Sequence, residues 1–319
     1  MNHTYALTLR KRLHSDDPDI RHAALAELNE DFEEADIDAQ DLLPLIQDDD
    51  PSFRWLTIHV LAEVGDVEAI PALLNALTDR DPEVAEAARE ALAEFRTRDA
   101  VEPLLAGTEH PHAVVRTAAV TALGQLRNPR AWPALRRAAE DLSDTVRREA
   151  ITALAELRDP RVLPQLRWGL YDQHAGVRRA AVRGLSQYAD DETPAELVRL
   201  LRDSDWEVRQ AAAQGLAHCP GVTAISGLLG ALRDARPEVL AEAITSLRKL
   251  QAGVATHVAE FLRHPHGEVR FAAARAVEEL GGFNLRLRLA ELRGDPDSRI
   301  ARIGERAQRE TGGEFRAAA

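Results

Sequence analysis

Two His-Pro-His turns, His110-Pro111-His112 and His264-Pro265-His266, are the most obvious candidates for chemistry, because paired imidazoles ligate zinc. Each turn alone offers two ligands, where a zinc site uses three or four. The two turns stand five repeats apart, and at about 10 Å per helical layer they cannot share one ion. They read as turn caps, and neither a metal nor a cofactor is expected. Cys219 follows His218, which suggests a thiol nucleophile beside its base. Adjacent residues on a helix do not face one another, and Pro220 closes the segment, so the cysteine reads as packed. No catalytic residue is expected.

An arginine recurs at one position, as Arg21, Arg54, Arg116, Arg147, Arg178, Arg209, Arg270 and Arg299, with Ala85 and Leu240 as exceptions. Such a row could hold phosphates. Pairing with turn acids such as Asp141, Asp172 or Asp203 in adjacent layers accounts for it without a ligand, since a feature of every repeat serves repeat packing. No phosphate loop or dinucleotide fingerprint occurs.

The elements that hold these residues repeat. An apolar marker falls at Ile20, Phe53, Val84, Val115, Val146, Val177, Val208, Val239 and Val269, spaced by 33, then six times 31, then 30 residues. A worn tenth copy, Asp295-Pro296-Asp297-Ser298-Arg299, follows. In the copy from Asp144 to Leu157, Val146, Ala150, Ile151, Ala153, Leu154 and Leu157 form one wide helical stripe. Ser143 there, and Asp17, Asp50, Asp81 and Asp205 elsewhere, stand at the N-cap. Pro18, Pro51 and Pro82 follow at the first helical position. A second helix starts near Pro71, Pro103, Pro133, Pro164 and Pro194, because proline is tolerated only in a first turn. No segment alternates like a half-buried strand. The period predicts an all-α fold, a right-handed α-solenoid of about nine to ten 31-residue helix-turn-helix repeats. One solenoid domain is expected over residues 1–310, with a cap helix within 1–17 and a flexible tail at 311–319. The acidic stretch from Asn29 to Asp41 reads as a surface loop.

The composition narrows the function classes. Hydrophobic residues make up 45% and aromatics only 4%, which means a core of Ala, Leu and Val. A net charge of −13 argues against general nucleic-acid binding, which needs a basic footprint. A single cysteine rules out an internal disulfide and suits a reducing compartment. The N-terminus lacks the apolar run of a signal peptide, and no stretch is long enough to span a bilayer. A cytoplasmic monomer is expected.

The strings Val177-Arg178-Arg179-Ala180-Ala181-Val182-Arg183-Gly184-Leu185 and Val208-Arg209-Gln210-Ala211-Ala212-Ala213-Gln214-Gly215-Leu216 resemble HEAT repeats of the E-Z type. The resemblance covers about residues 4–310 and implies an armadillo-like superhelix. That repeat class includes phycobilin lyase subunits, adaptors, scaffolds and designed binders. Deoxyhypusine hydroxylase, a related solenoid, carries His-Glu pairs, and this chain has none. Alkylpurine-type DNA glycosylases are also related, but they need a basic cleft.

Counted from the marker, offsets +4, +5 and +8 are mostly apolar, while +2, +6 and +10 are mostly polar and share one helix face. In designed binders of this class that face lines the concave surface, so the resemblance implies the same here. Its N-terminal section is acidic with one aromatic: Trp55, His59, Glu63, Glu86, Glu90 and Glu94. Its middle is basic and polar: Arg148, Arg179, Arg183, Gln210 and Gln214, with Trp206 at the rim. The three series run on to Phe271, Arg275 and Glu279. Aromatic and arginine side chains are the usual anchors of interfaces. The expected function is non-catalytic binding of a protein or peptide, as a scaffold or adaptor. The resemblance leaves a phycobilin lyase-like assembly factor as an alternative, and nucleic-acid binding through the central arginines as a weaker one.

Overall fold

A computed structural model describes residues 2–30, 37–188, 190–251 and 253–317. Every regular element among them is helical, and the helices fall into two compact units, residues 1–165 and 166–319. Within each unit helix pairs stack in chain order, so the fold class is an α-solenoid.

In the first unit, Asn2–Leu13 packs on Pro18–Glu30, and the first helices of the repeats are Pro51–Val64, Pro82–Glu94, Ala113–Leu126 and Asp144–Glu156. In the second unit they are Ala175–Leu185, Trp206–Leu216, Pro237–Lys249, Gly267–Leu280 and Ser298–Ala317. Second helices are short. Ile70–Ala76, Val101–Gly107 and Trp132–Ala138 each continue a single 3-10 turn. The recurring prolines stand in that first stretch, where no intrahelical N–H is lost.

Caps fix the starts of the first helices. The carboxylate of Asp50 accepts from the Ser52 N–H at 2.9 Å, and Asp205 accepts from Glu207 and Val208 at 2.8 and 3.2 Å. Ser143 occupies the same place but makes no side-chain cap bond. Small residues set the spacing between layers. A Cβ added to Gly124 would lie 2.7 Å from Cβ of Ala153, so the helices Ala113–Leu126 and Asp144–Glu156 approach closer than any side chain there would allow.

The markers Phe53, Val84, Val115, Val146, Val208, Val239 and Val269 are fully buried. Ile20 is the exception and is 41% exposed, because only the lone helix Asn2–Leu13 precedes its repeat. The acidic 29–41 stretch is not loop throughout. Asp38 caps the short helix Ala39–Leu42 in a reciprocal box with Asp41, while residues 31–36 lie outside the described residues. The last helix runs on through Gly312 and Gly313, where the sequence predicted the start of a tail.

Candidate protein-binding face

Most of the recurring arginines turn inward along the stack, while Arg299 stays exposed on Asp297 and Glu268. Arg54 donates from Nε and Nη2 to both oxygens of Asp79, 25 residues on, at 2.8 and 2.7 Å. Arg116 holds Asp141 in the same way in the first unit. In the second unit Arg178, Arg209 and Arg270 hold Asp203, Asp234 and Asp295. Each guanidinium also caps the turn before its own helix. Nη1 of Arg116 donates to the carbonyls of His110 and Pro111 at 2.8 and 2.9 Å. Each aspartate in turn accepts from the backbone N–H two residues later, as Asp141 does from Ser143 at 2.8 Å. Burial pushes the Asp141 carboxyl up, and the bonds from Arg116 and Ser143 outweigh it, leaving the group below its ordinary range. With all three nitrogens of the fork engaged, these arginines are a spine rather than a phosphate ladder.

The His-Pro-His turns belong to the same spine. Ala85 and Leu240 supply no guanidinium, and at the turns that would receive one the aspartate is replaced by His110 and His264. Nδ1 of His110 accepts from the His112 N–H at 3.2 Å, and Nδ1 of His264 accepts from His266 at 3.2 Å. An imidazole nitrogen thus does the work of the carboxylate at the two turns to which the preceding repeat sends no guanidinium. Among the described residues no group of three or more His, Cys, Asp or Glu side chains could hold a metal ion. Cys219 is buried, and burial, helped by the charge of Asp190, pushes its thiol up, opposite to what an activated nucleophile needs.

The +2, +6 and +10 positions stay at the surface. In the first unit Trp55 is 41% exposed and its ring lies 4.0 Å from that of His59, one turn on. Glu63, Glu90 and Glu94 are exposed and have no cation partner among the described residues, whereas Glu86 pairs with Arg89. Arg148 is exposed but leans on Glu149 at 2.9 Å. In the second unit Arg179 pairs with Glu207, while Arg183 is exposed without an ion pair among the described residues. Trp206 is half-buried under the Arg236 guanidinium, 4.7 Å from its centroid. Gln210 is half-buried and Gln214 exposed.

Grooves lie on this face in each unit. In the first, a groove of about 680 Å³ is lined by Thr121, Gln125, Glu149, Thr152 and Glu156. In the second, about 560 Å³ opens among Gln210, Glu242, Thr245, Phe271 and Arg275. Burial pushes the Glu242 carboxyl up, against the opposing pull of Lys249 and Ser246. Sequence reasoning ended its site at Gln214 and missed this groove. Phe271, an aromatic at the same +2 offset as Trp55, was the available signal. Glu242, where neighbouring repeats carry Ala211 and Ala272, was another.

The chain matches the family of HEAT repeats over residues 6–93, 70–146, 137–217 and 194–278. It belongs to the HEAT-repeat family. No curated protein matches it. Among solved structures, the HEAT-repeat chain aligns with the X-ray structure of YibA from Escherichia coli at 18% identity and a TM-score of 0.54. That alignment covers 84% of this chain and 98% of YibA, and at such identity it speaks for the fold alone. An engineered protein of known structure aligns over 96% of this chain and 98% of its own at 21% identity, with a TM-score of 0.49. HEAT repeats commonly mediate protein interactions. No described helix is long and apolar enough to cross a membrane.

Proposed function

We propose that the chain is a non-catalytic scaffold or adaptor that binds protein segments on the +2, +6 and +10 face of its first helices. The observation that carries this reading is the pairing pattern of the first unit. The spine arginines are spent internally, yet among the described residues Glu63, Glu90 and Glu94, on the same face as the Trp55 and His59 rings, have no cation partner. Carboxylates without cations on the face that carries an exposed tryptophan suit a basic partner segment with an apolar anchor. In the second unit Arg183, Gln210 and Gln214 offer cationic and amide contacts, and Arg179 adds to them once it leaves Glu207. In this reading the repeats are of the E-Z type, which the Val-Arg-x-x-Ala-Ala strings resemble, and the protein acts as a cytoplasmic monomer.

The test compares wild type with Trp55→Ala/Glu90→Gln/Glu94→Gln as baits, after circular dichroism has established equal helicity. Partners that are lost with the variant are then purified and titrated. A partner whose affinity falls at least tenfold in the variant supports the reading. Partners bound equally by both baits move the site to the second helices or the turns.

A further inference from the structure

We infer that the second helices of the second unit carry a separate docking site for an extended acidic peptide segment. This site lies on other helices than the +2, +6 and +10 face, so it stands or falls independently of the function proposed above.

Three observations converge on it. First, two large aromatics are left in solvent: Trp168 is 79% exposed and Tyr171 65%. Exposed tryptophan is uncommon on a surface with no binding role. Second, one cation covers Tyr171 and two more follow on the next turns, all without an ion pair among the described residues. Arg199 lies 4.1 Å over the Tyr171 ring, and neither it, Arg202 nor Arg233 has a carboxylate partner among the described residues. The nearby acids are committed elsewhere, Glu196 to Arg167, Asp203 to Arg178 and Asp234 to Arg209. In a chain of net charge −13, most of whose other described arginines are paired, this unbalanced cationic patch calls for an anionic occupant.

Third, Arg202 and Arg233 line a groove of about 450 Å³ that is floored by glycine. Gly227 is needed for packing, since a Cβ there would meet Val198 Cγ2 at 2.5 Å. Gly230 is not: a Cβ there would meet nothing within 4 Å, although glycine is a poorer helix former than alanine in Val222–Ala231. Its bareness leaves the groove open.

The spacing selects the occupant. Trp168, Arg199 and Gly230 hold one register position in successive repeats, 31 residues apart. Layers about 10 Å apart match three residues of extended chain at roughly 3.3 Å each. The fitting segment therefore carries an apolar side chain for Trp168, then carboxylates at three-residue intervals for Arg199 with Arg202 and for Arg233. A long nucleic acid would meet the repulsion of the whole acidic protein, while a short segment samples little beyond a Debye length of about 8 Å.

Fluorescence polarisation on the full chain tests this, with a labelled dodecapeptide of pattern Leu-x-x-Glu-x-x-Glu in a Gly/Ser background. A control peptide has its two glutamates adjacent. Wild type is expected to bind the spaced peptide with a micromolar Kd and the control at least fivefold more weakly. Arg202→Glu/Arg233→Glu and Gly230→Leu should each weaken binding at least tenfold, the latter without loss of helicity because its Cβ is unobstructed. Trp55→Ala should leave it unchanged. Absence of wild-type binding, equal binding of both peptides, or unaffected binding by Gly230→Leu would overturn the proposal. So would tighter binding of a twelve-residue oligothymidylate that the arginine variant abolishes, which would assign the patch to single-stranded nucleic acid.

Discussion

Arg116 and Asp141 meet through two parallel hydrogen bonds of 2.7 and 2.8 Å across one repeat, and both side chains are mostly shielded from solvent. The same arginine ties the turn before its helix to the turn before the next. Removing it breaks both connections and leaves a shielded carboxylate. Arg116→Ala is expected to lower stability by about 2–3 kcal/mol, the scale of losing charged hydrogen bonds. Arg148→Ala, on the exposed face, should change it by less than about 0.5 kcal/mol. Urea titration followed by circular dichroism distinguishes them, and equal effects would deny the spine its structural role.

The replacement of the pair by Ala85 and His110 makes a constructive test. Ala85→Arg alone adds an unpaired cation, and His110→Asp alone adds an uncompensated carboxylate. Together they should recreate the bond found at Arg54–Asp79, with a favourable coupling of at least about 1 kcal/mol in a double-mutant cycle. Strict additivity would mean that the two substitutions are unrelated.

The spine also sets two acid-sensitive steps. Burial, then the charge of His266, holds the His264 imidazole below its ordinary value, and Arg270 adds to this against the opposing backbone bond from His266. A histidine depressed in the folded state contributes stability that is fully present above its unfolded value of about 6.5 and lost as pH falls below it. The aspartates Asp79, Asp141, Asp203 and Asp234 are also depressed, so their contribution is present above about 3.9 and lost further down. Tm is expected to fall modestly between pH 7 and 5 and steeply below 4. His264→Asn, which keeps a neutral acceptor, should reduce the first fall and leave the second. An unchanged profile would contradict this role for His264.

Cys219 packs against the end of the helix before it, with Sγ 3.8 Å from the Gly215 carbonyl, and its thiol is pushed up by burial. Folded protein should therefore react with a disulfide reagent at least tenfold more slowly than urea-unfolded protein, with no fast phase. A rapid stoichiometric phase at neutral pH would reveal an accessible thiolate.

The period made the helix pairs legible, because each marker and its prolines state one boundary per repeat. The spine was half legible: recurrence marked the arginines as structural, and Asp141 and Asp203 were named as acceptors. The joint replacement of the pair by Ala85 and His110 is not legible, since it links residues in different repeats that resemble nothing locally. Ile20 misled because burial of a marker depends on having a full repeat on both sides. On the face, polarity located exposed positions such as Trp55 and Glu90. It could not show that Arg148 and Arg179 lean on Glu149 and Glu207, because side-chain pairing follows from packing distance rather than period.

The measurement that tests the central claim most directly is the affinity of a purified partner segment for wild type, Trp55→Ala/Glu90→Gln/Glu94→Gln and Arg202→Glu/Arg233→Glu. The segment is the one recovered by wild-type bait and lost with the first variant. Binding weakened at least tenfold by the Trp55 variant alone, and growing weaker with added salt, is the predicted result. Equal affinity for wild type and the Trp55 variant would contradict a binding role for the +2, +6 and +10 face.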